Sequence, residues 1–228
     1  MPRVLVFDVN ETLLDLGALD PVFEEVFGEA SVRREWFGQV LQSAFLTTII
    51  GSYASFGEIG ASALQMTARH HRAEVSDEDR QRILGGMREL PPHPEVPEAL
   101  ERLRDAGFRL ATLTNNTQEV VDAQLENAGL TDFFEERLTA DAVQRLKPAP
   151  EPYRMAAERL GVEADGVRLV AAHAWDVTGA IAAGCTAAFV ARPGMILDPV
   201  GNHPDVVGSD LQEVSEAIIA AETEGSLA

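Results

Sequence analysis

Four short apolar runs constrain this chain more than anything else in it: RVLVFD (3–8), FRLATLT (108–114), VRLVAAH (167–173) and TAAFVA (186–191). Such runs read as strands buried on both faces, the pattern of a parallel sheet. Helix-periodic segments at 97–106, 117–128, 150–160 and 175–183 alternate with them, which predicts helices on both faces of that sheet. Between the first and second strands the rhythm breaks, because about 14–92 is strand-poor and helix-periodic. Residues 18–28 put Val22, Phe23, Val26 and Phe27 on one stripe. Trp36, Val40, Leu41, Ala44 and Phe45 share a second face, and Ile59, Ala63, Leu64 and Met66 begin another helix. Ser76 ahead of DEDRQRIL reads as an N-cap with acids in the first turn. The proline-rich ELPPHPEVPEAL reads as the linker that closes this block. The segment after helix 117–128 reads as irregular, ADAVQRLKPAPEPY as a connecting loop, and ETEGSLA as a frayed tail. The expected fold is a doubly wound α/β core (1–13 and 93–228) with a helical cap (14–92) inserted after the first strand.

Composition narrows the function classes. The 228 residues fit one domain with a large insertion or two modest domains. A formal net charge of −19 repels phosphate backbones, so nucleic acid is not an expected partner. No apolar run reaches the roughly 18 residues that span a bilayer, so no membrane association is expected. The N-terminus runs straight into a strand pattern without a signal-type apolar region, which makes the cytoplasm the expected location. Cys185 is the one cysteine, so no intrachain disulfide can form, and its apolar setting reads as a buried structural thiol. His70, His71, His93 and His203 show no metal-ligand spacing.

Sites in open parallel sheets form beyond the carboxyl ends of the strands. Polar clusters fall there: Asp8-Val9-Asn10-Glu11-Thr12, Thr114-Asn115-Asn116, Lys147-Pro148, and His173-Ala174-Trp175-Asp176. Singly, each has an ordinary reading. A strand-end aspartate caps a turn, Thr-Asn-Asn caps the following helix, and a lone lysine is solvated. In this order on one sheet edge they are hard to attribute to capping.

These motifs resemble the haloacid dehalogenase superfamily, and within it the type II (L-2-haloacid) dehalogenases, over nearly the whole chain. FDVNETLLD resembles the first family motif, which implies a nucleophilic aspartate at Asp8 and its threonine at Thr12. LTNN implies substrate-binding roles for Thr114 and Asn115. LKPAPEPY resembles the KPxPxxY segment and places its lysine at Lys147 and its tyrosine at Tyr153. AAHAWDVTGA resembles the last motif, usually Ser-Ser-Asn-Ala-Trp-Asp, which puts the acid at Asp176, Trp175 beside it, and His173 at the asparagine. The resemblance also implies a homodimer.

The residue types fit the chemistry. A desolvated carboxylate is a competent nucleophile when a neighbouring cation keeps it ionised, the part given to Lys147. Thr12, Thr114 and Asn115 supply neutral donors to orient Asp8 and a substrate carboxylate. Asp176 and His173 are placed to orient or deprotonate the water that hydrolyses an Asp8 ester. His173 also reads as a strand-end histidine bonded to nearby backbone. Phe37 and Trp175 are expected pocket walls, and Asn10 and Tyr153 further substrate contacts. The other cap aromatics, Trp36, Phe45, Tyr53 and Phe56, read mainly as cap core.

A rival reading is a magnesium-dependent phosphatase of the same superfamily. Such enzymes resemble one another in a second aspartate two residues after the nucleophile and a second acid in the last motif. Here those positions are Asn10 and Ala172, so neither the proton donor nor a full magnesium site is expected, and no cofactor is. Magnesium enters only under the phosphatase alternative. Departures from type II dehalogenases exist as well. They have Tyr-Gly at Asn10-Glu11, and an arginine that meets the halide where REWFGQVLQSAF places Phe37. Arg33 and Arg34 lie a turn away and read as surface. A third reading is a catalytically weakened member that binds a small acid or a protein partner.

Overall fold

A computed structural model describes residues 4–225. Strands β1 (Val4–Phe7), β2 (Arg109–Thr114), β3 (Glu136–Thr139), β4 (Val167–Ala171), β5 (Thr186–Val190) and β6 (Val206–Gly208) form a parallel sheet in the order β3-β2-β1-β4-β5-β6. Every residue of β1 is buried because it is central, between β2 and β4. Arg3 lies outside the described residues. Asp8 follows the strand, yet its N–H still donates to Val170 O at 3.0 Å.

Strand alternation sorts the core. Val4 and Val6 join a cluster with Tyr153, Ala156 and Ala157 of α7 (Pro150–Leu160) and Val177 and Ala180 of α8 (Ala174–Ala182). Leu5 and Phe7 join the opposite cluster, with Leu100 and Leu103 of α5 (Val96–Asp105), Val121 and Leu125 of α6 (Gln118–Asn127), and Val214 and Ile218 of α9 (Leu211–Gly225). This is how an all-parallel sheet hides both faces.

Between β1 and β2 lie a 3-10 turn (Leu16–Leu19) and helices α1 (Asp20–Phe27), α2 (Val32–Ile49), α3 (Phe56–His71) and α4 (Asp77–Gly86). Ser55 and Glu58 close a reciprocal capping box at the start of α3, and Ser76 caps α4 by accepting from Asp79 N–H at 3.1 Å, as its sequence predicts. The Trp36 indole donates to Gly60 O at 3.0 Å and ties α2 to α3. The chain leaves and rejoins the sheet at one point, where Asp15 N–H donates to Pro91 O (2.8 Å) and His93 N–H to Leu13 O (3.0 Å). The proline-rich linker is therefore pinned to the turn after β1.

Several expectations need correction. The segment read as irregular contains β3, and β6 was not anticipated; both are short edge strands, so neither carries the long apolar run of a central strand. The helix expected over 18–28 opens instead as a 3-10 turn and becomes α-helical at Asp20, with Pro21 in its first turn. Met66 is exposed, and Thr67 takes the inward place in α3. The tail expected to fray continues α9 to Gly225, while 226–228 lie outside the described residues. Among the described residues no helix is long and apolar enough to cross a membrane.

Candidate active site

The turn after β1 builds the centre. Glu11 takes a left-handed backbone (φ 60°), and its N–H donates to Leu14 O at 2.9 Å. That reversal returns Thr12 over the strand tip, where its Oγ1 donates to Asp8 Oδ2 at 2.8 Å. The same oxygen accepts from Ala172 N–H at 3.0 Å, which commits the hydroxyl proton to Asp8. Lys147 arrives from the loop before α7, and its peptide bond to Pro148 is cis. Its Nζ donates to Asp8 Oδ1 (2.9 Å), Asp176 Oδ2 (2.6 Å) and Leu113 O (2.8 Å), three acceptors for three protons. Tyr153 donates to Asp176 Oδ1 at 2.5 Å. His173, at the end of β4, sets Nδ1 3.1 Å from Asp8 Oδ2 and Nε2 2.9 Å from Glu11 Oε2.

Burial alone would raise the Asp8 carboxyl, but the Lys147 ammonium and the His173 hydrogen bond hold it well below the usual carboxylate range. Burial likewise opposes charge on Lys147, and the Asp176 and Asp8 carboxylates more than offset it, so its value is raised. His173 would be lowered by burial, yet its bonds to Asp8 and Glu11 push it up to about 9. Asp176 is raised, first by burial, despite Lys147.

A void of about 10 Å³ faces Asp8, lined by Asn10, Thr114, Asn115, Lys147, His173 and Trp175 from the sheet side and Phe37, Leu41 and Phe56 from α2 and α3. Trp175 stacks on His173 with ring centroids 5.1 Å apart, and Phe45 meets Trp175 edge-on at 5.4 Å. The Trp175 indole Nε1 is buried with no hydrogen-bond partner.

The sequence-predicted residues Asp8, Asn10, Thr114, Asn115, Lys147, His173, Trp175 and Phe37 therefore share one void, with Thr12 and Asp176 one bond behind. One expected substrate contact is occupied elsewhere, and another is shared with Lys147 while keeping one amide N–H. Asn115 accepts from Lys147 N–H (2.8 Å) and donates to Lys147 O (3.4 Å), so its amide positions the lysine. Tyr153 is spent on Asp176 and does not line the void. Arg33, read as surface, is buried: its Nε donates to Asp20 at 2.5 Å and its Nη1 lies 3.7 Å from Glu11. Glu11 and Gln124 received no role from sequence. Gln124 is fully buried and donates to Asn10 Oδ1 (3.0 Å) and Met87 O (2.6 Å). A glutamate three residues after the expected nucleophile, at a left-handed turn position, leaves only a weak signal in the sequence. Glu35, His70 and His71, given no role by spacing, bring potential ligand atoms within 4.8 Å of one another on the exposed side of α2 and α3.

The residues around Asp8 do not fit a magnesium ion. An ammonium already bridges the two carboxylates, Asp8 and Asp176, that would share it. The Asn10 carbonyl is taken by Gln124, and Ala172 offers no side-chain oxygen where magnesium demands several.

A parallel α/β sheet carrying an aspartate at the first strand tip, with a lysine and a second acid around it, defines a hydrolase of the dehalogenase type of fold. The chain belongs to the haloacid dehalogenase-like hydrolase family, whose model matches residues 2–184. It is 29% identical over 214 residues to the (S)-2-haloacid dehalogenase of Pseudomonas sp. (strain YL), covering 93% of this chain and 92% of that one. It is 30% identical over 205 residues to haloacetate dehalogenase H-2 of Moraxella sp. (strain B), covering 89% and 92%. Among solved structures it matches the L-2-haloacid dehalogenase of Xanthobacter autotrophicus with chloropropionic acid covalently bound, at a TM-score of 0.88 and 26% identity, over 96% of this chain and 98% of that one.

Proposed function

We propose that this chain hydrolyses a small 2-haloacid through an ester on Asp8, without a metal. The observation that carries the reading is the Asp8 carboxylate itself: buried, kept anionic by Lys147, and facing a small apolar-walled void. The carboxylate attacks the halogen-bearing carbon in line; the new C–O bond forms as the C–halogen bond breaks and the halide takes the electron pair. Loss of the water shell raises the carboxylate's reactivity, and Phe37, Leu41 and Phe56 exclude water. Thr114, Asn10 and the remaining N–H of Asn115 are the side-chain donors that face the substrate carboxylate. With Phe37 at the place of the family arginine, the unpartnered indole N–H of Trp175 is the donor available to the departing halide. Water then attacks the ester carbonyl carbon, with Asp176 and His173 as flanking groups.

Residues 14–92 act as a cap in this reading. The void at Asp8 is too small for a substrate, so the side chains that α2 and α3 set over it must give way to admit one. A homodimer is consistent with the exposed Leu46, Ile49 and Ile50 at the end of α2, and a cytoplasmic location with a chain that carries one buried thiol. The test is release of halide from (S)-2-chloropropionate and bromoacetate, and of phosphate from small phosphoesters, each with and without chelator. Chelator-insensitive halide release is expected. Phosphate release that chelator abolishes would instead establish the phosphatase reading.

A further inference from the structure

The Asp8 carboxylate has about four lone-pair positions, two on each oxygen. Oδ2 has both engaged, by the Thr12 hydroxyl at 2.8 Å and His173 Nδ1 at 3.1 Å. Oδ1 has only Lys147, at 2.9 Å, and keeps a position free. Oδ1 is therefore the oxygen able to attack, and Oδ2 becomes the carbonyl oxygen of the ester. His173 is also constrained from its far side. Its two nitrogens face two carboxylates, Asp8 and Glu11, and carboxylates only accept, so both nitrogens donate.

We infer that His173, held doubly protonated by Glu11, joins Thr12 as a two-donor oxyanion site on Asp8 Oδ2 for hydrolysis of the ester, with Glu11 as its positioning residue. This rests on the dehalogenase reading above and goes beyond it by making His173 a donor and not the base.

The water oxygen bonds to Asp8 Cγ, and the carbonyl π pair moves onto Oδ2, where Thr12 and His173 receive it. On collapse the Cγ–Oδ2 double bond re-forms and the Cγ–Oδ1 bond breaks. Oδ1 leaves with the substrate carbon as the hydroxyl of a 2-hydroxyacid. One water proton ends on that hydroxyl and the other goes to solvent as Asp8 returns to a carboxylate. The imidazolium stays protonated throughout.

Glu11 is suited to this task. Its left-handed backbone is costly for a non-glycine residue, and that same turn aims its carboxylate at Nε2. Arg33 Nη1, 3.7 Å away on the other carboxylate oxygen, holds Glu11 from behind. His173 cannot drift, because Trp175 stacks on one side and the Phe37 ring centroid lies 6.3 Å away.

The experiment is rapid-quench intact mass of the wild type, Glu11→Gln, His173→Asn and His173→Ala after mixing with (S)-2-chloropropionate, which reads ester formation and ester decay separately. The wild type and variants are expected to form the ester. Its decay should slow about 100-fold in His173→Ala, as for loss of one oxyanion donor, and about tenfold in Glu11→Gln, by the same principle. His173→Asn, whose side-chain amide donates but cannot take a proton, should recover most of the decay rate lost in His173→Ala. Decay in His173→Asn no faster than in His173→Ala would overturn the donor role, and wild-type decay in Glu11→Gln would overturn the positioning role. Imidazole nitrogen NMR tests the same claim without substrate: His173 should be doubly protonated at pH 7.5 in the wild type and should lose its second proton at lower pH in Glu11→Gln than in the wild type. A neutral His173 in the wild type contradicts the inference. If the wild type forms neither ester nor halide while His173 is doubly protonated, the dehalogenase reading is what fails.

Discussion

Two buried cations stand on the two sides of the Asp8–His173 pair, and they are built differently. Lys147 is fully buried with every proton on an acceptor, two of them carboxylates and one of these Asp8 itself. Arg33 is almost as buried, yet its Nη1 makes no hydrogen bond, one of its acid partners is half-exposed, and it reaches Asp8 only through Glu11 and His173. A saturated cation touching the reacting carboxylate sets its charge. A slack cation three side chains away sets only where its neighbours sit. The contrast teaches that burial of a charge does not by itself mark it as catalytic; what it touches does.

The largest effect that sharpens this contrast is expected from Lys147→Met. Removing the ammonium leaves buried Asp176 with no cation and Asp8 with His173 alone, which costs about 3–5 kcal/mol of folding stability. It also removes what keeps Asp8 anionic, so halide release should fall by roughly a thousandfold or more, as for loss of a principal electrostatic group. Urea denaturation and a halide assay check both, and activity within tenfold of wild type would break the comparison. Arg33→Leu should do much less. Solvent screening at half-exposed Asp20 leaves a cost of about 1 kcal/mol, with turnover reduced by no more than about tenfold. A loss equal to that of Lys147→Met would show that the two cations are not different in kind.

A pH series comes next in size. His173 is raised from an ordinary 6.5 to about 9 in the folded protein. Its contribution is therefore fully present below about 6.5 and is lost as pH rises through about 9. The wild-type melting temperature should exceed that of His173→Asn most at pH 6 and converge towards it by pH 9.5. A gap that widens with rising pH would contradict the sign. The smallest effect concerns Cys185: burial pushes its thiol up to about 11, so a thiol reagent at pH 8 should leave the folded protein unlabelled and react only on unfolding.

The same contrast separates what the sequence made legible from what it did not. Lys147, solvated when read alone, was readable because LKPAPEPY resembles the family's KPxPxxY segment and falls in order with the other strand-tip clusters. Arg33 was not, since an arginine in a charged helical turn looks solvated until α1 and α2 fold its partner Asp20 against it. The central strands were legible from unbroken apolar runs, whereas at the sheet edges β3 is short and half charged, and β6 is only three residues long. Tyr153 was found as a site residue but given a contact that its hydrogen bond to Asp176 does not leave free, and the part Asn115 plays in holding the Lys147 backbone was not foreseen. Glu11 was passed over because its role depends on a backbone angle and on a histidine 162 positions away, neither of which spacing reveals.

The most direct test of the account is peptide mapping after the protein is mixed with excess (S)-2-chloropropionate and quenched within one turnover. The account predicts a transient adduct, the substrate less its halide, on the peptide that contains Asp8, and no adduct or turnover in Asp8→Asn. Turnover by Asp8→Asn, or an adduct on another residue, would contradict it.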